Sequence, residues 1–185
     1  MRIIAGKYRS RIIKTPKGDN TRPTTDKTRE SLFNIIGPYF DGGNFLDVFA
    51  GSGAVALEAI SRGFNQAVCI DKDYEAIKVI KANIEDLKAQ DEVKVYKGDY
   101  RKVLSLLKDT YQFDHVYIDP PYRFKDMKAI MESLSKNDLL SDNALLIVET
   151  TKENMLEDRY DDIIKTKEHV YGISKLVFYQ KEENQ

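Results

Sequence analysis

Short apolar runs alternate with amphipathic stretches through the middle of the chain, and this alternation restricts the fold more than any other feature. A run of four to eight apolar residues between turn residues is typical of a buried strand, whereas apolar residues three or four apart predict a helix. Repeated strand–helix units favour a mainly parallel sheet with helices on both faces. Strands are predicted at 44–50, 66–71, 92–97, 113–119, 144–149, 163–171 and 174–179.

The last two predicted strands meet at Gly172, too close together for a crossover connection, so they predict an antiparallel hairpin. The fold class is therefore α/β and Rossmann-like, with a mainly parallel sheet of seven strands. We divide the chain into a basic N-terminal β-hairpin extension over 1–20 and a main domain over 21–185.

Four consecutive predicted strands have an aspartate within them or shortly after their carboxyl end: Asp47, Asp71, Asp99 and Asp119. The carboxyl ends of parallel strands meet at one edge of the sheet, where open α/β folds bind their ligands. One such aspartate is commonplace and often only caps a helix. Four in succession predict a shared binding site.

The loop after the first strand carries Gly51 and Gly53, and Ala56 stands where a dinucleotide-binding loop would have its third glycine. Asp47 would repel a pyrophosphate but would favour an ammonium or a sulfonium. S-adenosylmethionine carries both cations and no phosphate, so it is the predicted cofactor. Asp71 is placed to accept from ribose hydroxyls, and Asp99 from an adenine amino group.

The fourth strand leads into Asp119-Pro120-Pro121-Tyr122. Two prolines remove two backbone donors and make the exit from the strand rigid. Such a turn suits a flat base with an exocyclic amine: the ring stacks on Tyr122, while Asp119 and the carbonyl of Pro120 accept from the NH2 group. The alternative is an ordinary turn in which these residues occur by chance.

Composition limits the classes of protein. A chain of 185 residues with 42% hydrophobic and 32% charged residues fits one globular domain. Apolar runs are too short to span a membrane, and the N-terminus lacks the apolar core of a signal peptide. The single Cys69 excludes an intrachain disulfide, and with two isolated histidines no metal site is expected. We therefore expect a cytoplasmic protein.

Residues 1–40 carry nine basic and three acidic side chains, although the whole chain has a net charge of −1. A basic segment before an acidic body predicts a polyanionic partner. The basic residues alternate with apolar ones, which favours a folded hairpin over a loose tail. The predicted RNA contacts are Arg9, Arg11, Lys14, Arg22 and Arg29. Glu58 and Arg62, in contrast, are predicted to be surface or capping residues of the helix that begins after Gly53 and runs through Arg62.

The chain resembles the small bacterial 16S rRNA guanine-N2 methyltransferases of the guanine(966) type over nearly its whole length. The opening Arg2–Gly6, the helix-opening segment Arg22–Asn34 and the motifs 47–53, 58–63 and 119–122 carry the resemblance. The Asp-Pro-Pro-Tyr tetrapeptide is also found in other amino-methylating enzymes, so the joint occurrence of the other motifs is the more specific sign.

The resemblance implies a class I S-adenosylmethionine-dependent methyltransferase that modifies N2 of a guanine in 16S rRNA, either naked or within an assembling small ribosomal subunit. No particular oligomer is required. Two alternatives stay open at this point. One is an amino-methyltransferase acting on another base or on a protein amide, and the other is a non-catalytic RNA-binding module.

Overall fold

The computed structural model describes residues 1–17 and 25–183, and within these it contains five helices and eight strands. The helices are α1 Asp26–Ile36, α2 Ala54–Ser61, α3 Tyr74–Leu87, α4 Tyr100–Leu107 and α5 Met127–Lys136. The strands are β1 Asn44–Asp47, β2 Gln66–Asp71, β3 Val93–Lys97, β4 Phe113–Ile118, β5 Leu140–Thr151, β6 Arg159–Tyr160, β7 Ile163–Tyr171 and β8 Ser174–Lys181.

The strands form one sheet in the order β3-β2-β1-β4-β5-β8-β7-β6. The first five of these are parallel, and β8, β7 and β6 continue the sheet in antiparallel pairs. The predicted α/β fold with a C-terminal hairpin is confirmed. Of the eight strands in the described residues, the sequence pattern missed β6, because a strand of two residues is too short to show a period.

Helices cover both faces of the sheet, and each face has its own apolar core. Residues of α1, α2 and α3 pack on one face around Phe45 and Cys69. Residues of α4 and α5 pack on the other face around Leu46 and Val68. Neighbouring residues of a strand point to opposite faces, so the parallel strands are buried on both sides and read as continuous apolar runs.

Residues 1–17, which we call the N-terminal arm, fold back on themselves through an antiparallel bridge between Arg2 and Ile12. Ile3 and Ile13 are buried in the core that contains α2. The arm is also tied to α3, because the buried Asn83 side chain bonds both backbone polar groups of Lys14 at 2.8 and 2.9 Å. A boundary between an extension and a main domain at residue 20 stays a prediction.

Candidate active site

An open cleft of about 1520 Å³ lies at the carboxyl edge of the parallel strands. Its walls come from the loops after β1, β2 and β4, from the segment after β5, and from residues of the N-terminal arm and α1. Six of the predicted cofactor and catalytic residues line this cleft. They are Asp47, Gly51, Asp71, Asp119, Pro120 and Tyr122.

Two glycines shape the loop between β1 and α2. Gly51 has φ +57° and Gly53 has φ +76°, a region that L side chains rarely adopt. A side chain at Gly51 would project into open space, whereas one at Gly53 would lie 3.3 Å from a methyl group of Ile80. No side chain caps the start of α2, so its first amides are available to an anion such as an amino-acid carboxylate.

Asp47 is a buried carboxyl group at the end of β1, with 1% of its surface exposed. Neither of its oxygens accepts a hydrogen bond of normal geometry from the described residues. Burial, assisted by the negative charge of Asp71 and opposed weakly by the Ala56 amide, raises the pKa of Asp47 to about 8. A buried acid without a partner at the edge of a cleft suits a cationic ligand, and an amino-acid ammonium would satisfy it.

Asp71 connects the glycine loop to the start of α3. Its Oδ2 accepts from the backbone amide of Gly51 at 2.9 Å and its Oδ1 from that of Asp73 at 2.9 Å. Each carboxylate oxygen can accept more than one hydrogen bond, so ribose hydroxyls could still bind there.

Asp99 precedes α4 and caps it, accepting from the amide of Arg101 at 2.9 Å. It is not among the residues that line the cleft. Its predicted role toward adenine stays a prediction, and the present structure accounts for it as a helix cap.

The segment Asp119–Tyr122 leaves β4 and forms a turn in which the amide of Phe124 donates to the carbonyl of Pro121 at 2.8 Å. Tyr122 is 88% exposed and lines the cleft, so its ring is available for stacking. Phe124 holds the turn in place, since its ring packs edge-on against Phe49 and Tyr100 with centroid distances of 5.4 and 5.9 Å. A large exposed aromatic ring on an anchored turn is suited to holding a flat base.

The structure describes four of the five predicted RNA contacts, and three of these four are exposed. Arg9, Arg11 and Lys14 are exposed on the N-terminal arm, and Arg22 lies outside the described residues. The Arg11 guanidinium donates to the carbonyl of Asp86 at 2.8 Å, and Lys14 pairs with the Asp86 side chain at 2.7 Å. Because Asp86 lies in the last turn of α3, far from the end of α3 that faces the cleft, RNA contact by these residues stays a prediction.

The structure contradicts the prediction that Arg29 contacts RNA. Its side chain is fully buried and bonds Glu58 at 3.3 Å, Asp26 at 3.0 Å and the carbonyl of Arg2. A guanidinium enclosed in this way cannot reach a phosphate. Basic character in the sequence did not distinguish this buried arginine from its exposed neighbours.

The prediction that Glu58 and Arg62 are surface residues was also wrong, whereas the capping alternative holds for Arg62, which is the C-cap of α2. Glu58 is fully buried, accepts from the amides of Ile4 and Ala5 at 3.0 to 3.2 Å, and pairs with Arg62 at 2.8 Å. The N-terminal arm covers α2, and for that reason all eight residues of this helix are buried. The sequence alone does not show that the arm covers α2, so it does not show that this helix lacks an exposed face.

Glu149, in the fifth parallel strand, β5, was not predicted from the sequence. Its carboxylate accepts from the hydroxyl of Tyr171 at 3.0 Å and from the hydroxyl of Tyr117, and all three residues line the cleft. The sequence did contain a signal for it, because Glu149 is the last residue of the predicted strand 144–149, and the four predicted aspartates also lie in or just after predicted strands.

The cleft is also lined by four basic residues that the charge pattern did not single out. They are Lys72, Arg123, Lys125 and Lys128.

Among residues 1–17 and 25–183, no group of three or more His, Cys, Asp or Glu side chains is arranged to hold a metal ion. No helix in those same ranges is long and apolar enough to cross a membrane. His115 lies edge-on to Phe64 at 5.0 Å, and burial, partly offset by Asp114, lowers its pKa.

The family model described as Conserved hypothetical protein 95 matches residues 1–180. The chain belongs to this family. It is 37% identical to the Bacillus subtilis protein named "Putative rRNA methyltransferase YlbH", over 98% of this chain and 99% of that protein. It is 34% identical to the Escherichia coli K12 protein named "Ribosomal RNA small subunit methyltransferase D", over 98% of this chain and 90% of that one.

Solved structures show the same relationship. The Escherichia coli protein described as "Putative methyltransferase yhhF" is 35% identical, with a TM-score of 0.85 over 98% of both chains. The fold is therefore that of the S-adenosylmethionine-dependent methyltransferases, and the predicted resemblance to the family of small bacterial rRNA methyltransferases is confirmed.

Proposed function

We propose that the protein transfers a methyl group from S-adenosylmethionine to N2 of a guanine in 16S rRNA. The observation that carries the proposal is that one cleft contains both the partnerless buried Asp47, beside the glycine loop, and the Asp119–Tyr122 turn. The first feature fits the amino acid of the cofactor, and the second fits a base with an exocyclic amine. Relatives that cover nearly all of the chain carry names of rRNA methyltransferases.

The cofactor would be held by residues from three loops. Asp47 would accept from its ammonium, the amides at the start of α2 would face its carboxylate, and Asp71 would accept from its ribose hydroxyls. Bound there, S-adenosylmethionine would supply an electrophilic methyl group next to the turn after β4. No metal ion takes part in the proposed reaction.

The turn after β4 would position the nucleophile. The amine of guanine is a poor nucleophile because its lone pair is delocalised into the ring, so orientation contributes more than a strong base. Asp119 and the carbonyl of Pro120 would accept from the NH2 group and stabilise the positive charge that develops on it. Loss of the methyl group would leave S-adenosylhomocysteine, and the proton that N2 gives up would pass to Asp119 or to water. Tyr122 would hold the flipped base by stacking, which is worth about 1–3 kcal/mol.

Incubation with S-adenosylmethionine tritiated in its methyl group tests this proposal. We expect incorporation into 16S rRNA, measured in parallel on deproteinised rRNA and on small-subunit particles that lack the modification. Asp119→Ala should abolish most of the incorporation, and the exposed Asp91→Ala, at the opposite edge of the sheet, should not. Cofactor binding without any transfer to either substrate would favour a different acceptor, and no cofactor binding would favour a non-catalytic RNA-binding protein.

A protein-amide methyltransferase is the second candidate for the acceptor. Enzymes of that kind usually have asparagine before Pro-Pro-Tyr, and this chain has Asp119. Since the proposed substrate is 16S rRNA, the bacterial cytoplasm is the proposed location.

A further inference from the structure

Glu149 lies beside the proposed catalytic turn. In the parallel pair of β4 and β5, Ile118 is opposite Val148, so the next residues along the two strands are Asp119 and Glu149. Both of these residues line the cleft. A second acid is therefore placed on the strand adjacent to the acid that would orient the amine.

Two tyrosine hydroxyls orient the Glu149 carboxylate. Tyr171 donates to Oε1 at 3.0 Å, and Tyr117, which is 2% exposed, donates to Oε2. A carboxylate offers about four lone-pair positions, so each oxygen keeps capacity for a further donor. Glu149 is half-buried rather than enclosed, which leaves that capacity open to a ligand in the cleft.

We propose that Glu149 determines the specificity for guanine by accepting a hydrogen bond from N1–H of the flipped base. This inference rests on the proposed function. The Watson–Crick edge of guanine presents two neighbouring donors, N1–H and the N2 amine, and enzymes that flip a base read this edge by hydrogen bonds. With the amine held at Asp119, N1–H would face the adjacent strand, where Glu149 stands.

Other bases lack this pair of donors. Adenine presents an acceptor at N1, and cytosine presents one at N3, so a carboxylate opposite either would be repelled. Uracil has a donor at N3 but no amine. A site that hydrogen-bonds a substrate group rejects analogues without it, because the protein group is then left unpaired.

The base 2-aminopurine tests the role of Glu149, because it keeps the N2 amine of guanine but has an acceptor in place of N1–H. Once the methylated position is mapped, 16S rRNA can be assembled by ligation with either guanine or 2-aminopurine at that position. The wild-type protein should favour guanine by about tenfold to a hundredfold in kcat/KM, as expected for a hydrogen bond to a charged group.

Glu149→Gln should reduce or abolish that preference. The variant keeps the shape of the side chain, and its amide NH2 can donate to the N1 acceptor of 2-aminopurine, while its uncharged oxygen accepts from the N1–H of guanine less strongly than the carboxylate does. A merely structural role would lower the rates on both bases equally. The exposed Glu153→Gln, four residues further along, is the matched control and should behave as wild type, and cofactor affinity should change by less than about twofold in both variants.

The outcomes separate this inference from the proposed function. If the wild-type protein methylates guanine but Glu149→Gln shows the same ratio of guanine to 2-aminopurine, the role of Glu149 is overturned and the function stands. If the wild-type protein forms no N2-methylguanosine at all, both fail. A changed ratio with unchanged cofactor affinity supports the assignment.

Discussion

The backbone amide of Gly51 donates to Oδ2 of Asp71 at 2.9 Å, which joins the glycine loop after β1 to the acid at the end of β2. Asp71 therefore has two tasks in the proposed site. It holds the loop that would surround the amino acid of the cofactor, and it would bind the ribose. A substitution at Asp71 is therefore expected to weaken binding of both the amino acid and the ribose of the cofactor.

Asp71→Ala should lower the affinity for S-adenosylmethionine by more than about tenfold, since it removes the acceptor for the loop and for two hydroxyls. Asp71→Asn can still accept from one amide, so its affinity for the cofactor should lie between those of the wild type and of Asp71→Ala. Titration calorimetry measures both affinities, with the remote Asp91→Ala as control. An unchanged affinity in a folded Asp71→Ala variant would remove this residue from the site.

Cofactor binding should depend on pH through Asp47. Burial raises the pKa of this group to about 8, and an ammonium beside it would favour the ionised form. Binding below that pH must therefore release a proton, and affinity should rise by up to about tenfold per pH unit between pH 6 and 8. Calorimetry in buffers with different ionisation enthalpies measures the proton directly, and Asp47→Asn should remove its release.

The buried carboxyl group of Asp47 should also affect the stability of the ligand-free protein. Its pKa in the folded state lies above the unfolded value, so the folded state binds more protons in the window between about pH 4 and 8. The free energy of unfolding should therefore fall as pH rises through that window. Asp47→Asn should flatten the decline in urea unfolding, and identical pH profiles for both proteins would contradict an uncompensated buried acid.

Substitutions in the turn after β4 should affect turnover and base placement but leave cofactor affinity largely unchanged. Asp119→Ala should lose most turnover and keep most cofactor binding, because its proposed partner is the base. Tyr122→Ala should raise the KM for RNA, and Tyr122→Phe should restore much of it, since stacking requires only the ring. Near-native turnover in Asp119→Ala would show that this acid does not orient the amine.

The basic N-terminal arm provides a separate test of RNA binding. Replacing Arg9, Arg11 and Lys14 by Gln should reduce the slope of log K against log salt by about 0.7–0.9 for each phosphate that is no longer neutralised. The matched control is the exposed triplet Lys94, Lys108 and Lys136, which lies at the opposite edge of the sheet from the cleft. If the arm variant keeps its slope, the four basic residues that line the cleft are the next candidates, because Arg29 is buried.

The buried network around Glu58 should be important for stability rather than chemistry. Glu58→Ala leaves two guanidinium groups and two amides of the arm without their acceptor, and breaking a buried pair of this kind costs about 3–5 kcal/mol. Urea unfolding measures the loss. The exposed Glu85→Ala on α3 is the control and should change stability by less than about 0.5 kcal/mol.

Periodic features of the sequence predicted most of the fold, because buried parallel strands leave apolar runs that are visible locally. The acids that follow the strands could be predicted as a set for the same reason: each lies next to a strand that could be recognised on its own. Glu149 followed that rule and was missed, since no glycine loop or proline turn accompanied it.

Burial of charged residues could not be predicted. Arg29 of α1 meets the Glu58–Arg62 pair only in the folded chain, and the arm contacts that help to bury this group join residues 27 to 54 positions apart. A local sequence pattern does not identify partners that are this far apart in the chain. Charge counts therefore marked residues 1–40 as basic but did not show which of these cations reach solvent.

The most direct test of the central claim is the identity of the methylated nucleoside. 16S rRNA or small-subunit particles lacking the modification are incubated with the protein and S-adenosylmethionine, and the digested RNA is analysed by mass spectrometry against nucleoside standards. We expect one new N2-methylguanosine that is absent with Asp119→Ala. Formation of N6-methyladenosine, or of no methylated nucleoside while the protein binds the cofactor, would contradict it.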